Sequence, residues 1–281
     1  MQQLSGVIPS GVRGAGGPRS RIEWTSCDAR GYYRRAAHLR EIEMELAKRF
    51  VDVGIFTNRL DEMRAFYGER IRLPYEEMLP VGKGVRQYRF GMLGSVLKIN
   101  HLRDPLPARV AGGYRKLSIS DPRTPMPLPM QDPDGNEVEL APNGQRGVNQ
   151  IEIHIGVTDE AAFENFYADA LQAQRIGAGR FKLGETIISF RHDPAAVRAR
   201  KSPTAGAVDV IASMRAVGMR YITVQVRDCD GEHRRFMSMG VWEGAAPVTL
   251  GAVARISFIR DPDGNFIEIS QRASLTGPIP A

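Results

Sequence analysis

The chain has 281 residues, of which 42% are hydrophobic and 25% charged, close to the average for soluble globular proteins. It contains no apolar run of about 18 residues, which excludes a membrane-spanning helix, and its two cysteines are too few for a disulfide scaffold. Residues 1–40 hold seven arginines against two acids and so carry +5 of the net charge of +6. We therefore expect no nucleic-acid partner, no membrane association and a cytoplasmic location.

The first segment, residues 1–46, is rich in Gly, Arg and Ser and has no regular apolar periodicity. Such a composition is typical of a disordered segment. We interpret it as a disordered basic tail or as the product of a start codon assigned too early.

An internal repeat begins after this segment. Residues 52–59 and 152–159 alternate as half-buried strands do, and each stretch runs into a helical pattern that ends in Phe-Tyr, at Phe66–Tyr67 and at Phe166–Tyr167. Asp159 is a plausible N-cap for the second of these helices. The repeat predicts two copies of one strand–helix unit.

Further strand patterns complete each copy. Residues 114–121 and 221–228 are predicted strands, and each copy ends in an Asp-Pro-Asp-Gly-Asn turn followed by a strand, at 132–139 and 261–268. The proline-rich stretch 122–129 excludes a second helix from the first copy. The second copy keeps a helical pattern at 230–239 and adds another at 207–217, so the first copy is the abbreviated one.

The twice-occurring strand–helix unit and Asp-Pro-turn ending resemble the vicinal oxygen chelate superfamily, which includes glyoxalase I, bleomycin resistance proteins and extradiol dioxygenases. The resemblance implies an α+β fold of paired βαβββ modules, whose curved sheets form cups around small ligands. We therefore predict domain 1 at 47–143, domain 2 at 147–272 with the working cup, and a tail at 273–281.

Strand parity indicates which residues of the last strand face a cup. Ile267 and Ile269 share one face, while Phe266, Glu268 and Ser270 share the other. Because the isoleucines should pack under helices, Glu268 is predicted to point into the cup. The same reasoning places Glu139 in domain 1.

Metal-using members of the family place ligands on the opening strands and on the last strand. Carried over to this chain, the resemblance implies Glu152, Tyr221 and Glu268 in domain 2. The domain 1 equivalents, which we take as non-functional, are Asp52, Tyr114 and Glu139. Lys98 lies near a further ligand position, where an ammonium group would repel a metal ion.

Three interpretations of these residues stay open. They could be wall residues, they could hold a divalent or ferric ion through oxygen ligands, or they could transfer protons without a metal. The last depends on repulsion between Glu152 and Glu268 in one cup. We favour metal-free chemistry over a metal site, and the cofactor stays unknown.

His154 lies two residues after Glu152 and therefore on the same strand face, where it could act as a general base. We favour an enzyme that performs proton transfer of the isomerase or lyase type on a small aromatic or carbonyl compound, with Glu268, Tyr221, Glu152 and His154 as candidates. The alternatives are a non-catalytic binding protein of the bleomycin-resistance type and an atypical ring-cleaving dioxygenase. A homodimer is a further possibility that the sequence leaves open.

Overall fold

The computed structural model describes residues 43–82, 84–108, 113–199 and 214–279. These residues form fifteen strands: β1 (Asp52–Thr57), β2 (Tyr75–Gly82), β3 (Val85–Met92), β4 (Ser95–His101), β5 (Tyr114–Ser120), β6 (Leu128–Gln131), β7 (Glu137–Ala141), β8 (Ile151–Val157), β9 (Gln174–Gly177), β10 (Arg180–Leu183), β11 (Thr186–His192), β12 (Gly218–Gln225), β13 (Trp242–Leu250), β14 (Ala254–Arg260) and β15 (Phe266–Arg272). The helices are α1 (Leu60–Arg64), α2 (Glu160–Asn165), α3 (Cys229–Ser238) and α4 (Ala273–Thr276).

The first two helices confirm the predicted repeat. Each continues into a wider π-helical turn, Ala65–Arg70 after α1 and Phe166–Ala170 after α2, and these turns hold the two Phe-Tyr pairs. Tyr67 and Tyr167 are completely buried. The Asp159 side chain accepts a hydrogen bond from the Ala162 amide at 3.1 Å, so it caps α2 as predicted.

The chain comprises four modules: module 1 (β1–β4), module 2 (β5–β7), module 3 (β8–β11) and module 4 (β12–β15). Module 2 has no helix between β5 and β6, which confirms that it is abbreviated. The α3 helix confirms the helical pattern predicted in module 4. The helix predicted at 207–217 falls mostly outside the described residues, and so does nearly all of the 1–46 segment.

The modules pair differently from the prediction. Modules 1 and 4 form one eight-stranded sheet in the order β13-β14-β15-β12-β1-β4-β3-β2, and modules 2 and 3 form a seven-stranded sheet in the order β6-β7-β5-β8-β11-β10-β9. We call these the first sheet and the second sheet, and their concave faces the first cup and the second cup. The fold class of tandem modules with curved sheets is confirmed, but the expected pairing within 47–143 and within 147–272 is wrong.

A glycine gives one physical reason for this pairing. Gly54 in β1 lies opposite Tyr221 in β12. A Cβ atom at residue 54 would lie 2.1 Å from Cε1 of Tyr221, so only glycine leaves room for the ring. The repeat alone cannot show this complementarity, because β5 and β12 carry similar strand patterns.

The observed strand registers also change the predicted correspondence between the copies, because Gly54 lies opposite Tyr221 and the equivalent His154 lies opposite Lys116. The register slips between Gly54 and Ile55 in the β1–β12 pair, and between Tyr114 and Lys116 in the β5–β8 pair. Lys116 therefore occupies the position of Tyr221, whereas Tyr114 corresponds to Met219. The Tyr114 hydroxyl donates to the Phe266 carbonyl at 2.8 Å, which ties the two sheets together within the main core. The prediction that Tyr114 is the counterpart of Tyr221 is wrong.

The main core lies on the convex faces of both sheets. It contains Ile267 and Ile269, whereas Phe266 belongs to a separate apolar cluster on the opposite face of the first sheet. The parity predicted for the last strand is therefore confirmed. Within the described residues, no helix is both long and apolar enough to span a bilayer.

Candidate functional site

The first cup holds a buried ion pair at the position expected of a metal ligand. The Lys98 ammonium lies 2.8 Å from Oε2 of Glu268, and these side chains are only 4% and 11% exposed. The Thr223 hydroxyl accepts from Lys98 at 2.6 Å and donates to the same glutamate oxygen at 2.6 Å. Strands β4 and β12 thus each supply one donor to Oε2 of Glu268.

Tyr221 lies beside this pair. Its hydroxyl accepts hydrogen bonds from Asn100 at 3.1 Å and Gln87 at 3.4 Å, and the Lys98 ammonium is 5.6 Å from its ring centroid. Burial, and then the negative charge of Glu268, raise the pKa of Tyr221 far above its usual value. The phenol is therefore a neutral, fixed group.

Aromatic side chains line the rest of the first cup. Phe56 and Phe258 each lie 6.3 Å from the Tyr221 ring, and Phe266 lies 6.2 Å from Phe258. All four rings are at most 7% exposed. At the edge, Asp52 accepts hydrogen bonds from Lys48 at 2.7 Å and from the Val96 amide at 2.8 Å. Among the described residues, this part of the first cup is consequently a packed aromatic wall, with Glu268 and Asp52 paired to lysines.

The second cup is more open and its charges are arranged differently. The Glu152 carboxylate is 2% exposed and lies 3.1 Å from Nε of Arg180 and 3.5 Å from Nη2 of Arg146. These arginines are 24% and 55% exposed. The Glu152 carboxylate is therefore buried, and the two guanidinium groups lie between it and solvent.

His154 is held at both ring nitrogens in the middle of the second cup. Its Nε2 lies 2.9 Å from the Ser118 hydroxyl, and its Nδ1 lies 3.0 Å from the Ser189 hydroxyl. Ser118 donates to the Glu139 carboxylate at 3.0 Å, so its oxygen is left to accept the proton of Nε2. Nδ1 is then the acceptor nitrogen, and it faces Ser189.

The surroundings keep the His154 imidazole neutral. Burial, followed by the positive charges of Lys116 and Arg146, lowers the pKa of His154 to about 4, against an opposing effect of Glu152. The ring therefore carries no charge near pH 7 and can take up a proton.

A cavity of about 710 Å³ opens over this part of the second sheet. His154 and Ser189 lie in its wall. Five cationic side chains line it against two carboxylates, namely Arg115, Lys116, Arg146, Arg180 and Arg191 against Glu137 and Asp193. A cavity of this size suits a small molecule, and its lining favours an anion.

The four predicted site residues are present as two pairs rather than one cluster. Glu268 and Tyr221 belong to the first cup, while Glu152 and His154 belong to the second. The predicted convergence of Glu152 and Glu268 is therefore wrong, because their strands lie in different sheets. Asp52, assigned to domain 1, is in the first cup with Glu268, and Glu139 is in the second cup with Glu152.

Neither cup offers a suitable donor set for the metal ion that the family resemblance implies. In the first cup the Lys98 ammonium occupies the space beside Glu268, and in the second cup arginines pair with Glu152. Within the described ranges, no group of three or more His, Cys, Asp or Glu side chains is arranged to hold a metal. The residues present do not fit the ion, and we derive no step through one.

Residues 147–269 match the family model of the Glyoxalase/Bleomycin resistance protein/Dioxygenase superfamily. The match covers modules 3 and 4, which make up less than half of the chain. The sequence search of curated proteins gave no match.

Solved structures of the superfamily fold are similar over most of the chain. Glyoxalase I from Zea mays has a TM-score of 0.59 at 12% identity, over 82% of this chain and 92% of the maize chain. A protein described as a putative dioxygenase from Bacillus subtilis has a TM-score of 0.60 at 13% identity, over 82% and 85% of the two chains. At these identities the likeness shows the fold alone.

The sequence analysis missed most of the second cup. Lys116 and Ser118 alternate with Leu117 and Ile119 in β5, and this period-two pattern could have identified them as cup residues. Arg146 and Arg180 gave no such signal, because the first lies in a connection between modules and the second on a short strand.

Proposed function

We propose that this protein binds a small organic anion in the second cup and exchanges a proton with it through His154. The observation that carries the proposal is the 710 Å³ cavity with its outward-facing cations and a neutral imidazole in its wall. The first cup has its glutamate paired and its aromatic rings packed, so it is the weaker candidate.

The electrostatics of the second cup link anion binding to basicity. Lys116 and Arg146 contribute to the low pKa of His154 in the free protein. A bound anion would offset these charges and raise the pKa toward neutrality, because an adjacent negative charge stabilises imidazolium. His154 thus becomes a competent base only when an anion is present.

The chemistry that fits is proton abstraction next to a carbonyl group. Nδ1 of His154 takes the proton, directly or through the Ser189 hydroxyl, and the C–H electron pair moves into the carbonyl to give an enolate. The cations that line the cavity stabilise the enolate oxygen. Return of the proton to the same or another atom completes an isomerase-type reaction, and loss of a leaving group completes a lyase-type reaction.

Deuterium exchange tests this proposal without knowledge of the natural substrate. The full chain is incubated with pyruvate in D₂O, and loss of the methyl proton signal is followed by NMR. We expect catalysed exchange, and His154→Gln should reduce its rate by about 10²-fold or more. His101→Gln, at the end of β4 in the other sheet, is the matched control and should exchange normally.

A second candidate function is binding without chemistry. It is favoured by the hydrogen bonds that already engage both ring nitrogens of His154. Calorimetric binding of pyruvate with no exchange above the solvent rate would support it. Absence of both binding and exchange would contradict an anion site for this ligand class.

A further inference from the structure

The cup face of β8 carries residues 152, 154 and 156, and the last two line the cavity. Residues 152, 154 and 156 alternate with the core residues Ile153 and Ile155. With a rise of about 3.3 Å per residue, residues 152 and 156 are about 13 Å apart. His154 therefore lies midway between two ends of one elongated site.

One end of this site carries the Arg146–Arg180 pair. Both guanidinium groups bind the buried Glu152 carboxylate from above and are much more exposed than it is. A single buried carboxylate against two cations leaves this end with excess positive charge. An incoming carboxylate would meet the N–H groups that Glu152 does not use.

The other end is formed around Gly156. A Cβ atom at residue 156 would lie 2.5 Å from an Asp193 oxygen and 2.8 Å from Nε of Arg115, so glycine lets this ion pair approach the sheet. Arg191 lies opposite Gly156 in the register of β8 and β11. It is exposed and lines the cavity, its charge helps to lower the pKa of Asp193, and it forms no hydrogen bond or close ion pair with the described residues.

We infer that the second cup is built for a linear dicarboxylate, with one carboxylate bound at Arg146 and Arg180, the other at Arg191, and His154 beside the carbon chain between them. This inference rests on the proposed function and narrows its ligand to a dianion. A cationic group at each end and a neutral base in the middle fit such a molecule better than a monoanion, which would use one end only.

A chain-length series tests the inference with named probes. Binding of acetate, malonate, succinate, glutarate and adipate to the full chain is measured by isothermal titration calorimetry at low ionic strength. We expect affinity to rise with length to an optimum at which a dicarboxylate binds at least tenfold more tightly than acetate. The gain should shrink as salt is added.

The variant Arg191→Met tests whether Arg191 binds the second carboxylate. The variant should lose the dicarboxylate advantage of tenfold or more and keep acetate binding at the Arg146–Arg180 end. Because Arg191 is exposed and forms no hydrogen bond with the described residues, folding should be unchanged. Arg227→Met, which replaces an arginine 58% exposed just after β12 of the first sheet, is the control and should bind like the wild type.

The outcomes separate the two proposals. Failure of every probe, acetate included, would contradict the anion site itself. Equal affinity for acetate and all the dicarboxylates would overturn the dianion inference and leave the anion site standing. A full dicarboxylate advantage in Arg191→Met would overturn the assignment of the second anchor.

Discussion

Each cup has a glutamate on its last strand and a lysine that pairs with it. The two cups differ in the strand that carries the lysine and in how deeply the lysine is buried. Glu268 pairs with Lys98, a buried cation that β4 supplies. Glu139 pairs with Lys116 on β5, at 3.3 Å and with both side chains about one-fifth exposed. The neutralising lysine has thus changed strands between the copies. Where it is buried, the described residues of the cup are packed; where it is half-buried, the cup keeps a cavity.

The largest contrast should appear when each lysine is removed. Lys98→Met leaves the Glu268 carboxylate buried without its cation and should lower the free energy of unfolding by about 3–5 kcal/mol. Lys116→Met removes a half-buried pair that solvent partly screens and should cost about 1 kcal/mol. Urea denaturation measures both.

The double variant Lys98→Met/Glu268→Gln sharpens this test, because it removes both charges together. It should recover much of the lost stability. Equal losses for Lys98→Met and Lys116→Met would contradict the contrast between a packed cup and an open one.

A medium effect is expected at the glycine that admits the Tyr221 ring. Gly54→Ala would place a Cβ atom within the ring's space and should cost about 1–3 kcal/mol through displacement of packed groups. The control is Gly177→Ala on β9, where the nearest heavy atom to the new Cβ lies 3.9 Å away. Thermal unfolding of both variants distinguishes a steric requirement from a general glycine effect.

The smallest effect concerns acid sensitivity of the second cup. The pKa of His154 is lowered from 6.5 to about 4 on folding, so the unfolded chain binds a proton before the folded protein does. The contribution of His154 is therefore present above pH 6.5 and lost as the pH falls toward 4, at up to about 1.4 kcal/mol for each pH unit.

His154→Gln should remove this contribution. The measurement is the difference in unfolding free energy between wild type and variant at pH 7 and pH 4.5. Subtraction is needed because burial raises the pKa of Asp261 to about 7, which makes that residue favour folding as the pH falls. A wild-type-minus-variant difference that does not change with pH would contradict the neutral state of His154.

Much of the fold could be predicted from local pattern. Period-two alternation, the Phe-Tyr repeat and the Asp-Pro-Asp-Gly-Asn turns each depend on a few adjacent residues, and the last-strand parity placed Glu268 correctly. Local pattern could not predict which modules pair to form a sheet. This pairing depends on contacts such as Gly54 against Tyr221, which are 167 positions apart in the sequence. The register that places Lys116 in the position of Tyr221 likewise leaves no mark in the strand pattern.

In the sequence, the strands of the second sheet lie between the two groups of strands that form the first sheet. This order determines how the chain can assemble during synthesis. The six residues of β1 are all buried, yet one of its two neighbours, β12, begins at Gly218. At about 5–20 residues per second, translation leaves β1 with an open edge for roughly 10–30 s. The second sheet is complete by His192 and can close first. A nascent chain therefore exposes an apolar strand edge, a known site of mispairing between chains, until module 4 leaves the ribosome.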